Sequence, residues 1–397
     1  MVITTGRPAI AAGALAVIAL AGASGTALAS GAGVASGLAS GAGAGAAGSA
    51  AGSGTAVPGW RIVSTDHRPG LVLELAATSL GPRNVWVGGN VATAHTDVGR
   101  PVAEHWNGRR WSTSNLPAGL SGAIEVLRAS AWNNVWAFGE TDHGDNGFAL
   151  RWNGHRWLVM KRWRGFTSIA GAAVLSPADV WVFSAIIGGN PVQHYDGHSW
   201  QHVDTHTSIQ SLDSVATAPN GDIWAIGTAG GTAVLHGTRT GSGYTWQLTP
   251  LSMFDSGNGG EDIYAPSSTD VWAFGGGVRT VGGHDHWFPL AAHLSGQAWH
   301  KVSVGGRFTL AGGVSASDGH GGVWVTTGWD STGVPPHLLH FNGATFAAVH
   351  LPPRGGRYVG VFGLATVPGS ATVWSAGALT GLGATGANTG VILKYGR

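Results

Sequence analysis

The sequence predicts an all-β fold, a seven-bladed β-propeller of four-stranded blades whose ring is closed by an N-terminal strand at about 59–65. Three observations predict it. One phrase, Asx-Val-Trp-x-x-Gly with small changes, returns seven times at a steady period. A second phrase, ending in Asn-Gly-x-x-Trp, falls between the copies. The last unit then lacks its final strand, while a matching strand stands far upstream.

The first phrase reads "NVWVGG" (84–89), "NVWAFG" (134–139), "DVWVFS" (179–184), "DIWAIG" (222–227), "DVWAFG" (270–275), "GVWVTT" (322–327) and "TVWSAG" (372–377). Its tryptophans are Trp86, Trp136, Trp181, Trp224, Trp272, Trp324 and Trp374, spaced 43 to 52 residues apart. A repeat of this length is the signature of propeller blades. Alternate residues of such a strand face the two neighbouring sheets, so Val and Trp fill space on both sides. These seven tryptophans are read as structural core. The Gly after them is read as freeing the chain to turn.

The second phrase reads "HWNGRRW" (105–111), "RWNGHRW" (151–157) and "HYDGHSW" (194–200), with "HLSGQAW" (293–299) and "HFNGATF" (340–346) close to it. Asn-Gly and Asp-Gly between apolar residues are strong hairpin turns. The fourth copy, "LHGTRTGSGYTW" (235–246), carries an insertion. Each unit therefore reads as strands A to D: an apolar strand A, the Val-Trp strand B, strand C up to the Asn-Gly turn, and strand D from the second aromatic. Trp111, Trp157, Trp200 and Trp299 open strands D and are read as core too. In the seventh unit strand A lies near 358–366 and strand C at 391–397, and strand D is missing. "GWRIVST" (59–65) supplies it, with Trp60 in the place of the strand D tryptophan. Such closure leaves no unpaired edge at the seam.

Upstream, Arg7 precedes an apolar run at 9–23, too short to span a bilayer comfortably, and "ALAS" (27–30) offers a small-residue cleavage site after Ala29. Residues 1–29 are read as a signal peptide, 30–57 as a Gly/Ala/Ser-rich tether, and 58–397 as the propeller. The expected location is extracellular, with no membrane span in the mature chain and a monomeric state.

Ser-x-x-Asp-Val-Trp-Ala-Phe-Gly, as at 267–275, together with His-Trp-Asn-Gly-x-x-Trp resembles the exported kelch-like propeller proteins of actinobacteria and related lineages. The resemblance covers about 58–397 and implies the architecture of galactose-oxidase-type propellers. It does not carry that enzyme's chemistry, because its radical site needs a Cys and this chain has none.

Composition narrows the function further. Charged residues are 10% and the net charge is +1, which argues against a nucleic-acid surface. With 0 Cys, disulfides and thiolate chemistry are excluded. A sialidase-type site needs grouped Arg, Tyr and Glu. Glu74, Glu104, Glu125, Glu140 and Glu261 show no such grouping along the chain. His194, His198, His202 and His206 recur every fourth residue, but in strands that spacing is about 13 Å and cannot share one ion. His105, His194, His293 and His340 hold one repeat position, read as packing or a hydrogen bond to the next blade. No metal site, catalytic residue or cofactor is assigned.

Variable B–C loops on a constant ring are where binding is expected. Trp287 and Trp329 fall there outside the repeat pattern, and Trp163 stands before a D–A loop. With Asp142, Asp285, His286 and Asp330 they are the candidate ligand-binding residues. "GGHDHW" (282–287) is read as a loop. The leading function is a secreted, non-catalytic binding scaffold for a glycan or protein. The alternatives are a glycan-active enzyme on the same ring and a structural surface protein.

Overall fold

The structure is a computed structural model. It describes residues 59–396 apart from 69, 94–95, 142–145, 167, 186–190, 242, 255–258, 282–283, 305–312, 327–337, 343–344, 350, 352–356 and 381–387. The expected leader and tether lie outside the described residues.

Among the described residues, twenty-eight strands form seven antiparallel four-stranded sheets arranged in a ring. Blade two shows the pattern: strand A at Ala123–Ala131, B at Asn134–Glu140, C at Gly147–Trp152 and D at Trp157–Arg162. Strands A pack against one another around the whole circle, so they are the inner strands. The seventh sheet takes its fourth strand, Arg61–Thr65, from the N-terminal side. That strand pairs antiparallel with Thr389–Tyr395, Arg61 opposite Lys394 and Thr65 opposite Val391.

Tryptophan holds the blades to one another. The D-strand aromatic of each blade meets the B-strand aromatic of the blade before it. Trp157 stands edge-on to Trp86 at 5.3 Å between ring centroids, Trp200 to Trp136 at 5.9 Å, and Trp246 to Trp181 at 5.5 Å. Trp299 meets Trp224 at 6.5 Å, and Phe346 meets Phe274 at 6.3 Å. Trp111 crosses the seam to Trp374 at 5.4 Å. Trp60 of the closing strand completes the series against Trp324. Edge-to-face pairs of this kind add about 0.5–1.5 kcal/mol each beyond the area they bury.

The repeat histidines stay within their own blades. His105, His194, His236, His293 and His340 stack on the B-strand tryptophan of the same sheet, at centroid distances of 3.6 to 4.3 Å. Each also bonds the Asx that precedes that tryptophan: Asn84, Asp179, Asp222, Asp270 or Asp318. Of the two expected roles, packing is the one observed, and the hydrogen bond goes to the same blade rather than the next. The register dictates this, because each His faces its own Trp across strands B and C, as Trp86 faces His105.

The phrase's Gly does something other than turn the chain. Gly89, Gly139 and Gly227 lie inside strands, opposite Glu74, Ile124 and Leu212 of strand A. A Cβ there would fall 1.8 to 2.0 Å from a strand A carbonyl oxygen. The missing side chain lets strand A close in, and in each case a β-bulge follows at once. Bulges at the same place occur in blades three, five and seven. A bulge takes one residue out of the ladder and re-aims it. In an innermost strand, that residue is turned toward the ring axis.

Candidate functional site

The bulged residue is Leu75, Glu125, Ala170, Asp213, Glu261 or Phe362 in blades one to five and seven. Three of these six are acids. Each acid is the third residue of its strand A: Ala123–Ala131, Ser211–Thr217 and Gly259–Tyr264. Strands A start at the D–A loops, and antiparallel order puts the B–C loops on the same face. Glu125, Asp213 and Glu261 therefore stand at one mouth of the central channel, where Glu140, the last residue of its strand B, joins them.

Glu125, Glu140 and Asp213 are only partly open to solvent, and burial is the first influence on their protonation. Burial, then the charge of Glu140, raises the Glu125 carboxyl well above the usual range. Its Oε2 is buried without a hydrogen-bond partner. Glu140 is raised by burial and partly restored by backbone N–H groups of Ile169 and Ser168. The Ile169 bond measures 3.0 Å, and Ser168 takes a left-handed φ of 53°. Asp213 is pushed up to about 7, by burial and then by Glu261.

Deeper in the channel, Arg128 reaches from blade two to blade four. It donates to Leu127 O at 3.0 Å and to Val215 O at 3.5 Å. Burial lowers its affinity for a proton and Asp262 partly restores it. Asp262 is itself raised to about 6 by burial, opposed by hydrogen bonds such as the 2.6 Å one from Ser214 Oγ and by the Arg128 charge. Arg128, Asp262 and Ser214 thus floor the mouth and make it an acidic cup. Such a cup can hold a cationic group against several carboxylates, or pass a proton between paired carboxyls.

The sequence-predicted residues divide differently. Trp163 is 6% exposed, packed on Phe166 at 5.2 Å and Trp200 at 5.1 Å, so its ring faces the core. Asp285, His286 and Trp287 lie in strand C of blade five, His284–Ser295, opposite Thr280, Arg279 and Val278 of strand B, Asp270–Val281. The expected loop is thus a long hairpin. Among the described residues its strand A pairs no further than Gly276, so the tip rises from the mouth face as a two-stranded ribbon. Asp142, Trp329 and Asp330 lie outside the described residues.

The carboxylates are what sequence reasoning missed. The chain spacing of Glu125, Glu140 and Glu261 hid a grouping that the ring creates. A signal existed: an acid stands eleven residues before the B-strand Trp in three repeats. A cavity of about 460 Å³ on the opposite face, between blades five, six and seven, is lined largely by glycines and turn residues.

No family model matches the chain, and no curated protein matches it. Among solved structures it is similar to YCF48 bound to a D1 peptide, with a TM-score of 0.53 at 14% identity, covering 85% of this chain and 97% of that one. It is also similar to a GH74 xyloglucanase from Xanthomonas campestris, with a TM-score of 0.50 at 14% identity, covering 81% of this chain. The match covers 53% of the xyloglucanase. At these identities the likeness shows the β-propeller fold alone. Among the described residues no helix is long and apolar enough to cross a membrane.

Proposed function

We propose that this chain is a secreted, non-catalytic binding propeller that takes a protein or peptide partner on its D–A/B–C face, a Lys, Arg or amino-terminal cation of that partner entering the acidic cup. The carrying observation is the set of carboxyls delivered to one mouth by equivalent bulges, with Glu125 Oε2 buried and unbonded. A cation there offsets the desolvation of several carboxyls at once. The floor of Arg128 and Asp262 makes the site end-on, which suits a side chain or terminus rather than a threaded polymer. Export rests on the leader-like segment and on the kelch-like resemblance. The peptide-bound neighbour shares only the fold, and a peptide is the ligand form that the cup itself favours over a sugar. Sugar platforms use exposed aromatic faces, and Trp163 is turned inward.

Fluorescence anisotropy with labelled Lys/Arg-rich and Asp/Glu-rich peptides tests this. The basic peptides bind, binding weakens with salt, and Glu125→Gln with Asp213→Asn weakens it about tenfold. Equal binding of both peptide sets overturns it. The paired carboxyls of raised proton affinity favour one second reading, a glycan-active enzyme. Release of new reducing ends from β-glucans, lost in the same double variant, would establish that reading instead.

A further inference from the structure

A second acidic cluster lies apart from the cup, at the seam of the ring. Asp66 follows the closing strand directly and donates its backbone N–H to Gly390 O of the last sheet at 2.8 Å. Glu74 is in strand A of blade one, Leu71–Gly81, and Glu104 in strand C, Thr96–Trp106. One carboxylate oxygen from each of the three lies within 4.8 Å of the others. Arg68 is placed among them. Its Nη2 pairs with Asp66 and lies 2.9 Å from Glu104 Oε1.

Glu74 points to a missing ligand. Its side chain is 1% exposed, and neither carboxylate oxygen accepts a hydrogen bond. The nearest cationic nitrogen, Arg68 Nη2, is 3.5 Å away and already engaged by two other carboxylates. Leaving a carboxyl so buried and unbonded is costly. Gly390 closes one side, where a Cβ would stand 3.3 Å from Glu74 Oε1. The other two acids reach solvent: Asp66 and Glu104 line, with Arg68, Trp111, Ser112 and Thr113 among others, a cavity of about 430 Å³, and Glu74 lies behind them.

We propose that Asp66, Glu74 and Glu104 form a calcium site that clasps the ring seam, Arg68 turning out to solvent as the ion enters. Oxygens bound at about 2.4 Å to one ion are at most about 4.8 Å apart, which this cluster meets. Calcium accepts irregular oxygen geometry, whereas magnesium demands a near-ideal octahedron and gives up its waters reluctantly. Asp66 and Glu104 already outnumber the one guanidinium, and a divalent ion supplies what one arginine does not. Arg68 is 27% exposed on a long stem, so its departure costs little packing. The ion would join the loop after the closing strand to both the inner strand and strand C of blade one.

Trp111 lines the cavity, so terbium, a luminescent stand-in for calcium, reports the site through excitation of tryptophan. The full chain is expected to show terbium emission saturating at one ion per chain, displaced by calcium, together with a higher Tm in calcium than in chelator. Asp66→Asn with Glu104→Gln abolishes both effects. Arg68→Gln keeps all three ligands, removes the competing cation and binds calcium about tenfold more tightly. Absence of emission and of a calcium-dependent Tm shift overturns the proposal. So does emission undiminished in the double variant. If that variant does not fold, Arg68→Gln decides: unchanged or weaker calcium binding makes Arg68 a fixed counter-ion and rejects the site.

Discussion

Trp60 meets Trp324 edge-on, with ring centroids 5.3 Å apart and planes at 86°. Residues 264 positions apart in the chain thus repeat, between blades six and seven, the contact that joins every other pair of blades. Trp60 is 9% exposed and shares its cluster with Val373 and Leu393 of the last sheet. Removing residues 1–57 is expected to leave the Tm unchanged, and removing 1–65 to lower it sharply. Trp60→Ala alone costs about 3 kcal/mol and roughly 5 °C in Tm. Thermal denaturation of the three chains checks this. Equal Tm values for the two truncations would show that the borrowed strand contributes nothing.

The strand B glycines make a sharper claim. Gly227 faces Leu212, and a Cβ on it would lie 2.0 Å from Ser211 O. Gly227→Ala therefore forces strands A and B apart at the bulge, destabilising by about 1–3 kcal/mol. It also displaces Asp213, so binding at the cup weakens. Urea unfolding and peptide titration on the same variant measure both effects. Gly230→Ala is the control, since it stands in a turn with open space around its Cβ position, though at a φ of 76°. It costs about 1 kcal/mol and leaves binding intact.

Asp213 gives the ring an identifiable pH dependence. Its carboxyl rises from the ordinary 3.8 to about 7, chiefly through burial. The folded chain thus holds a proton there that the unfolded chain releases between those values, and stability contributed by this group falls as pH rises through that window. Allowing for channel water, about 1–2 kcal/mol is at stake. Asp213→Asn should be more stable than the parent at about pH 8.5 and no more stable at about pH 4. Urea midpoints at the two pH values decide it, and a gain of the same size at both would refute the assignment.

Asp179 accepts from Trp181 Nε1 at 2.7 Å and bonds His194 Nε2 at 3.0 Å. Burial opposes its charge, yet these bonds and the nearby His194 and Arg239 leave it below the usual carboxylate range. Asp179→Ala strands the indole N–H and costs about 1–2 kcal/mol. Asp179→Asn should be close to neutral, because Asn84 and Asn134 fill the same role for Trp86 and Trp136. Because the folded-state proton affinity is lowered, this group's contribution is present above the ordinary carboxylate range and is lost as pH falls below it. The comparison of the two variants by chemical denaturation isolates the acceptor from the charge.

The ring was legible because its determinants recur. Trp86 and its six counterparts sit in strands whose neighbours impose the same shape each time, and Trp60 could be placed because it matched Trp111 and Trp157. The acidic cup was harder to see. Glu125, Asp213 and Glu261 lie in strands A, whose sequences vary, and the bulge that re-aims them depends on a carbonyl approaching a glycine across the ladder. Neither the bulge nor the glycine's part in it shows in a period count. The seam cluster was hidden for another reason: Asp66 and Glu104 become neighbours only once the ring has closed. In blade five, "GGHDHW" read as a loop on its glycines, yet the strands on either side extend to 281 and 284 and pair throughout.

The borrowed strand also sets what damage the molecule can absorb. A circle in which every member grips the one before it has no free end to fray. A single peptide bond cut in an outlying hairpin leaves both fragments held by neighbours on either side. Exposed, variable tips are thereby permitted without risk to the body that carries them.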